Sequence, residues 1–227
     1  MRFENKRVAV TGAAGNLGQA VAKAFLAEGA SVVAIDRVEA SIEGADSARV
    51  DAQVIDLTDA QATLTAFEAI GAVDVLCNVA GGFDMGTPVH ELSADDWEFM
   101  LDINARTMIN TSRAAVPHMI NAGGGAVVSV SAKAALAGGS TMAPYSASKS
   151  IVMRATESMS AELKDKGINV NCVLPTALDT PQNREAMPKA DPSKWVACDD
   201  LAAVILFLAS PAARAVHGVG IPVTGLG

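Results

Sequence analysis

An α/β fold, with a doubly wound parallel sheet of about seven strands and helices on both faces, is predicted by three features of this 227-residue sequence. Short β-branched runs alternate with helix-length segments from end to end, the pattern of βα units. Most of the runs are apolar throughout, as strands covered on both faces must be. The richest Gly/Pro stretches, 81–88, 123–125 and 138–144, all border strand ends, where α/β proteins carry ligand loops.

In chain order, strands are expected over 8–11, 31–35, 54–55, 73–78, 126–131, 169–173 and 221–223. Helices are expected over 17–28, 59–70, 94–121 with a break at Pro117, 145–166 and 199–208. Ser93, three residues before Asp96, marks one helix start. With no internal repeat and no linker, residues 1–227 read as one folded unit.

Composition removes several function classes. At 50% hydrophobic and 19% charged residues, the chain has the makings of a core and is not disordered. The 17 Lys and Arg against 25 Asp and Glu give a net charge of −8, which offers no basic footprint for nucleic acid or anionic lipid. The longest uncharged apolar run, near 201–209, falls far short of the ~20 residues a bilayer needs, and the charged start (Arg2, Glu4, Lys6, Arg7) is unlike a secretory signal. Cys77, Cys172 and Cys198 are odd in number and scattered, so they read as free thiols in a reducing, cytoplasmic setting. His90, His118 and His217 have no neighbours at ligand spacing, and no metal site is expected.

The first strand runs into Thr11-Gly12-Ala13-Ala14-Gly15-Asn16-Leu17-Gly18 and then a helix. Glycines at a strand–turn–helix junction let the backbone approach a pyrophosphate whose charge meets the helix amides. A tight packing turn is the alternative reading of the loop alone. Asp36, eighteen residues after Gly18 at the end of the second strand, can accept both ribose hydroxyls of an adenosine half and repels a 2′-phosphate. Together these features predict a Rossmann-type dinucleotide site with NAD(H) favoured. Arg37 follows directly and can pair with a 2′-phosphate, which keeps NADP(H) open. Asp56-Leu57, after the next strand, is either an adenine-facing carboxylate or, with Thr58, the cap of the following helix.

The only tyrosine, Tyr145, has Lys149 four residues on, so on a helix the two share a face. A fixed ammonium beside a phenol, whose ordinary pKa is ~10, favours the phenolate and makes the group a usable proton donor or acceptor.

With the glycine loop, Asp36, Asp56, Asn78-Val79-Ala80-Gly81, Asn104, Tyr145-Ser146-Ala147-Ser148-Lys149, Pro175 and Thr180 in this order, the whole chain resembles the short-chain dehydrogenase/reductase family. The resemblance implies that Asn78, Ala80 and Gly81 stabilise the central strand and line the cofactor. It further implies that Asn104 joins a proton relay with Lys149. Pro175, Leu178 and Thr180 would hold the nicotinamide end. It also implies homodimers or homotetramers joined through helices 94–121 and 145–166, acting on a small-molecule substrate.

Two departures stand out. The middle glycine of the loop comes one residue early, at Gly15, with Asn16 in the usual place. The family's catalytic serine, thirteen residues before the tyrosine, is replaced by Ala132. Ser131 is adjacent but on an extended strand points to the opposite face, so it substitutes only with a register shift; Ser140 is a further candidate. Both departures look like the dihydropteridine reductases, as does the run Leu178-Asp179-Thr180-Pro181, Asn183-Arg184, Met187-Pro188, Ala190-Asp191, Ser193 and Trp195. Phe83, where that group carries tryptophan, offers a face for a flat heterocycle or packs on the core. Asn78, Asn104 and Asp56 follow the wider family instead. The function expected is hydride transfer involving a conjugated substrate such as a quinonoid dihydropterin. The alternatives are an ordinary ketone/alcohol (3-oxoacyl-type) reductase using Ser131, and a non-catalytic dinucleotide sensor.

Overall fold

The computed structural model describes residues 1–226. Seven parallel strands form the central sheet: β1 (Arg7–Thr11), β2 (Ser31–Asp36), β3 (Val50–Val54), β4 (Val75–Asn78), β5 (Gly125–Val130), β6 (Ile168–Pro175) and β9 (Gly220–Val223). Their order is β3-β2-β1-β4-β5-β6-β9. The chain winds outward from β1, then returns to the other side of β1 at β4, so the topological switch lies between these two strands. Its crevice opens at their carboxyl ends, where dinucleotides bind in such sheets.

Helices cover both faces because the central strands are apolar on both. On one face α1 (Asn16–Ala27) packs against α7 (Cys198–Ala209), burying Phe3, Phe25, Leu201 and Ile205. On the other, α2 (Ala60–Ile70), α4 (Thr107–Asn121) and α5 (Ala143–Leu163) bury Phe67, Met119, Leu163 and Ile168. Among the described residues no helix is long and apolar enough to cross a membrane.

Three sequence expectations need correction. The third strand lies at 50–54, not 54–55: as the sheet edge it is paired only with β2 and exposed along much of its length, so its signal is the alternation Val50-Asp51-Ala52-Gln53-Val54. The long helix does not break at Pro117. That residue faces solvent, where water can meet the carbonyl its ring frees, and α4 runs through it. The interruption comes earlier, as a π-helical turn, Asp102–Arg106, between α3 (Ala94–Leu101) and α4. Finally, Gly123–Gly125 borders the amino end of β5, opposite the crevice. It lines a cleft of about 590 Å³ together with Lys164, Arg214 and His217. The carbonyl ends of α4, α5 and α7 come together there, and cations are the stabilising charge at such ends.

A short parallel pair, β7 (Leu178–Asp179) with β8 (Val196–Ala197), and the six-residue α6 (Pro181–Ala186) form a small flap after β6. Two-residue strands carry no periodic pattern, so the sequence could not announce them. The expected helix start at Ser93 holds: Ser93 and Asp96 form a reciprocal capping box. Asp59, and neither Asp56 nor Thr58, caps α2, accepting from the amides of Gln61 and Ala62.

The sheet's centre is tied internally by Asn78. Its amide donates to the Ser112 and Ser129 hydroxyls at 3.3 Å each, and its carbonyl accepts from Thr111 at 2.6 Å, all buried. Removing it leaves three buried hydroxyls short of a partner. Asn78→Ala is expected to cost about 2–4 kcal/mol in urea unfolding; a loss under about 0.5 kcal/mol would contradict this account of the network.

Candidate active site

The carboxyl ends of β1, β4 and β5 gather most of the residues singled out in the sequence. Gly12, at φ +67°, turns the chain so closely over the β4 exit that a Cβ would lie 2.9 Å from Ala80 N and Cα. Gly18 packs α1 on the same turn: a Cβ there would stand 2.0 Å from the Gly12 carbonyl oxygen. Gly15 caps α1 without a side-chain hydrogen bond, and the first turn holds no acid. The opening amides of the helix, at Asn16, Leu17 and Gly18, are therefore the ones a phosphate can use. The Leu17 side chain itself belongs to the core.

Asp36 holds this loop, accepting the Ala14 amide at 3.0 Å and the Arg37 amide at 2.7 Å. Half-buried at the end of β2, with exposed Arg37 beside it, it stands at the crevice mouth. Asp56 is exposed. It accepts from the Thr58 amide (2.9 Å) and hydroxyl (2.7 Å), which hold its carboxyl below the usual carboxylate range. Leu57 is a core side chain, and its carbonyl is fixed by the Asn110 amide at 2.9 Å. Asn78 likewise points into the core, so at that position only backbone borders the crevice.

Tyr145 and Lys149 lie one turn apart near the start of α5, as expected. Lys149 is 5% exposed and donates to the Val130 carbonyl at 3.0 Å; burial alone pushes its pKa down to about 8. Tyr145 is pushed up to about 12, also by burial. The expectation of a phenol acidified by the neighbouring ammonium is thus corrected: desolvation dominates the phenol, and the ammonium is held on the strand carbonyl. Phe83 meets the Tyr145 ring edge-on, with centroids 4.8 Å apart and planes at 85°, while remaining 56% exposed.

Asn104 sits in the π-helical turn. Its amide donates to Gly82 O (3.1 Å) and the Ser148 hydroxyl (3.1 Å), and its carbonyl accepts from Gly82 N (3.0 Å). Gly81 lies between Asn104 and Lys149, since a Cβ there would be 2.5 Å from Asn104 Oδ1 and 3.1 Å from Lys149 Nζ. Any side chain at this position would displace the Asn104 amide and the ammonium, which is why glycine stands here.

Ser131 does not supply the missing hydroxyl. It is buried and donates to the Lys149 backbone carbonyl at 2.7 Å, because its strand-end side chain points inward as the alternation requires. Ala132 is buried beside it, and Ser140 is exposed in the following loop. Pro175 ends β6, Leu178 lies in β7, and Thr180 caps α6, its hydroxyl accepting from the Asn183 amide at 3.2 Å. Beyond these, Ser146 Oγ is buried without a hydrogen-bond partner among the described residues.

Two positions carried more than the sequence reading gave them. Thr11 Oγ1 accepts from the Val79 and Ala80 amides at 3.0 Å each, fixing the β4 exit against the glycine loop. Ser148 links Tyr145, whose carbonyl accepts its hydroxyl at 2.8 Å, to Asn104. Both fall within quoted motifs, but a hydroxyl's direction is not written in residue type. Gln182, which accepts from the Asn16 amide, carries no signal in the sequence.

Known proteins match this arrangement. The short chain dehydrogenase profile covers residues 6–191. The 3-oxoacyl-(acyl-carrier-protein) reductase of Thermotoga maritima is 30% identical, over 99% of this chain and 98% of its own. Carveol dehydrogenase from Mycobacterium avium, solved in complex with NAD, superposes with a TM-score of 0.85 at 27% identity, over 98% of this chain and 97% of its own. A gluconate 5-dehydrogenase from Burkholderia cenocepacia, solved with NADP and tartrate, gives 0.88 at 27%, covering 99% and 96%. Its sheet, crevice and ordered motifs identify the chain as a member of the short-chain dehydrogenase/reductase family of NAD(P)-dependent oxidoreductases.

Proposed function

We propose that residues 1–227 act as one NAD(H)-dependent reductase unit whose substrate is a flat, conjugated acceptor such as a quinonoid dihydropterin. The observation that carries this reading is the hydroxyl economy of the site. Ala132 stands where the family resemblance implies a serine, and the Ser131 hydroxyl is turned onto the Lys149 carbonyl. That leaves Tyr145 as the side-chain proton donor beside Phe83. A plain ketone deprived of one donor to its oxygen would lose on the order of 10²-fold in rate. A conjugated ring spreads the arriving charge and loses less. Phe83, half exposed and edge-on to Tyr145, offers such a ring an aromatic neighbour.

Held by the loop amides of residues 16–18, Asp36 and Lys149, a reduced nicotinamide would supply the hydride, one proton with two electrons. Tyr145 gives its phenolic proton to the atom that receives the charge and regains one from solvent. Lys149 keeps a positive charge next to Gly81 below its pKa of about 8. Asn104 holds the Gly82 peptide from both sides, and Asp36 at the mouth favours the unphosphorylated ribose over NADP(H). Self-association through α3, α4 and α5 would cover their exposed Trp97, Phe99, Ile109 and Ile151. A second reading, an ordinary ketone/alcohol reductase, is favoured by the similarity to the 3-oxoacyl reductase and the gluconate dehydrogenase.

Following NADH oxidation with a quinonoid dihydropterin, simple quinones and a β-ketoacyl thioester separates the two. The first reading expects kcat/KM for the conjugated acceptors to exceed that for the thioester by at least tenfold. Preference for the thioester establishes the second. Under either, Tyr145→Phe should lower kcat by about 10²–10⁴ with NADH affinity within about threefold. Binding of NADH without any reductase activity, unchanged in Tyr145→Phe, would instead favour a dinucleotide sensor.

Burial of Lys149 also predicts a pH signature. Between its folded pKa of about 8 and the unfolded value near ~10.4, the unfolded chain keeps a proton that the native state has lost. Stability contributed by this group therefore rises with pH. From pH 8 to 9.5 the gain from this group is on the order of 2 kcal/mol. The buried thiols Cys77 and Cys172, whose pKa values burial raises, act oppositely by ionising only in the unfolded chain, so the check is urea unfolding of wild type against Lys149→Met: the wild type should gain this amount relative to the variant between the two pH values.

A further inference from the structure

Asn16 stands where the family's loop has its middle glycine, and its side chain is not idle. Asn16 Nδ2 donates to Gln182 Oε1 at 2.8 Å, joining residues 166 positions apart. Asn16 opens α1 after β1, and Gln182 is in α6, after β6. Those strands are separated in the sheet by β4 and β5, so three strand spacings of ~4.8 Å, about 14 Å, lie beneath the bond. It therefore arches across the crevice at the carboxyl ends of β1 and β4.

The far end of this bridge is a preformed flap. Thr180 caps α6, the Asn183 amide donates to the Leu178 carbonyl at 2.8 Å, and Arg184 grips Asp179 with two bonds of 2.6 and 2.8 Å. The β7–β8 pair closes its base. Among the described residues, Asn16 to Gln182 is the only hydrogen bond that ties residues 180–195 to the first 175 residues. The flap is internally braced and moored at one point to the dinucleotide loop.

We propose that Asn16 and Gln182 form a clasp that holds this flap over the dinucleotide groove and sets how long the coenzyme stays bound. The proposal rests on the dinucleotide reading above and adds two positioning residues to it. A glycine at position 16 has no reach to Gln182, so the departure from the family loop and the mooring of a short flap are one feature. Because the bond is exposed, its effect is a modest change in rate. Loss of a single hydrogen bond of this kind corresponds to about a three- to tenfold change. The clasp must part for a dinucleotide to leave, so release is the step it slows.

Two measurements test it. Hydrogen exchange of the 183–187 amides in the ligand-free protein should speed by about three- to tenfold in Asn16→Ala, although the substitution lies far away in sequence. Stopped-flow release of NADH should accelerate by a similar factor in Asn16→Ala and in Gln182→Ala, with the double variant no faster than either single one, as for coupled residues. Unchanged exchange, unchanged release, or single effects that multiply in the double variant would each overturn the clasp. Failure of the wild-type protein to bind NADH or NADPH overturns the dinucleotide reading instead, and is seen before any variant is compared.

Discussion

The site depends on how the start of α5 is fastened to the end of β5. Two bonds run in opposite directions between them: the Lys149 ammonium donates to the Val130 carbonyl, and the Ser131 hydroxyl donates to the Lys149 carbonyl. An ammonium buried this deeply survives only with a partner, and here the partner is a strand carbonyl just where the sheet stops. The helix is thereby fixed in rotation, which aims Tyr145 at the crevice. Ser148, on the same turn, passes the constraint to Asn104, and Asn104 passes it to the Gly82 peptide. Sheet, helix and β4 exit loop thus share one polar frame.

The π-helical turn is what lets Asn104 take part. An extra residue in the turn changes the direction in which its side chain leaves the helix, so that it can reach both sides of the Gly82 peptide. The need for that reach arises from a loop some twenty residues earlier in the chain. Local periodicity over 94–121 therefore points to one long helix, and its obvious breaker, Pro117, is harmless because it faces water. Here the interruption answers a distant hydrogen-bonding demand and not a local propensity.

The same distinction explains what was legible in the sequence. The glycine loop, Asp36, Gly81 and the Tyr145–Lys149 pair are visible because each follows from residue type and spacing: absent side chains where backbones approach, and a phenol and amine one turn apart. The two covered faces follow from apolar runs. Hydroxyl and amide roles were not legible. Thr11, Ser112, Ser129 and Ser148 read as ordinary polar residues until their partners, tens of positions away, are placed beside them. Ser131, a candidate donor by sequence although strand alternation spoke against it, drops out once its partner, the Lys149 carbonyl, is placed beside it. The electrostatics were legible in kind but wrong in sign for Tyr145, because burial depth is a property of the assembled core.

That sign has a chemical consequence. A phenol held near pKa 12 stays protonated throughout the neutral range, so it is ready to donate and poorly suited to accept. Lys149, near 8, stays largely charged at neutrality and loses that charge just above it. Acid delivery therefore needs only the ground-state protonation of both groups, whereas proton abstraction needs the phenol's pKa to fall by several units. Placing an alanine at 132 acts in the same direction, because no second hydroxyl stands by to share a phenolate's charge. Burial and the alanine at 132 thus act together, each favouring a phenol that gives a proton over one that takes it.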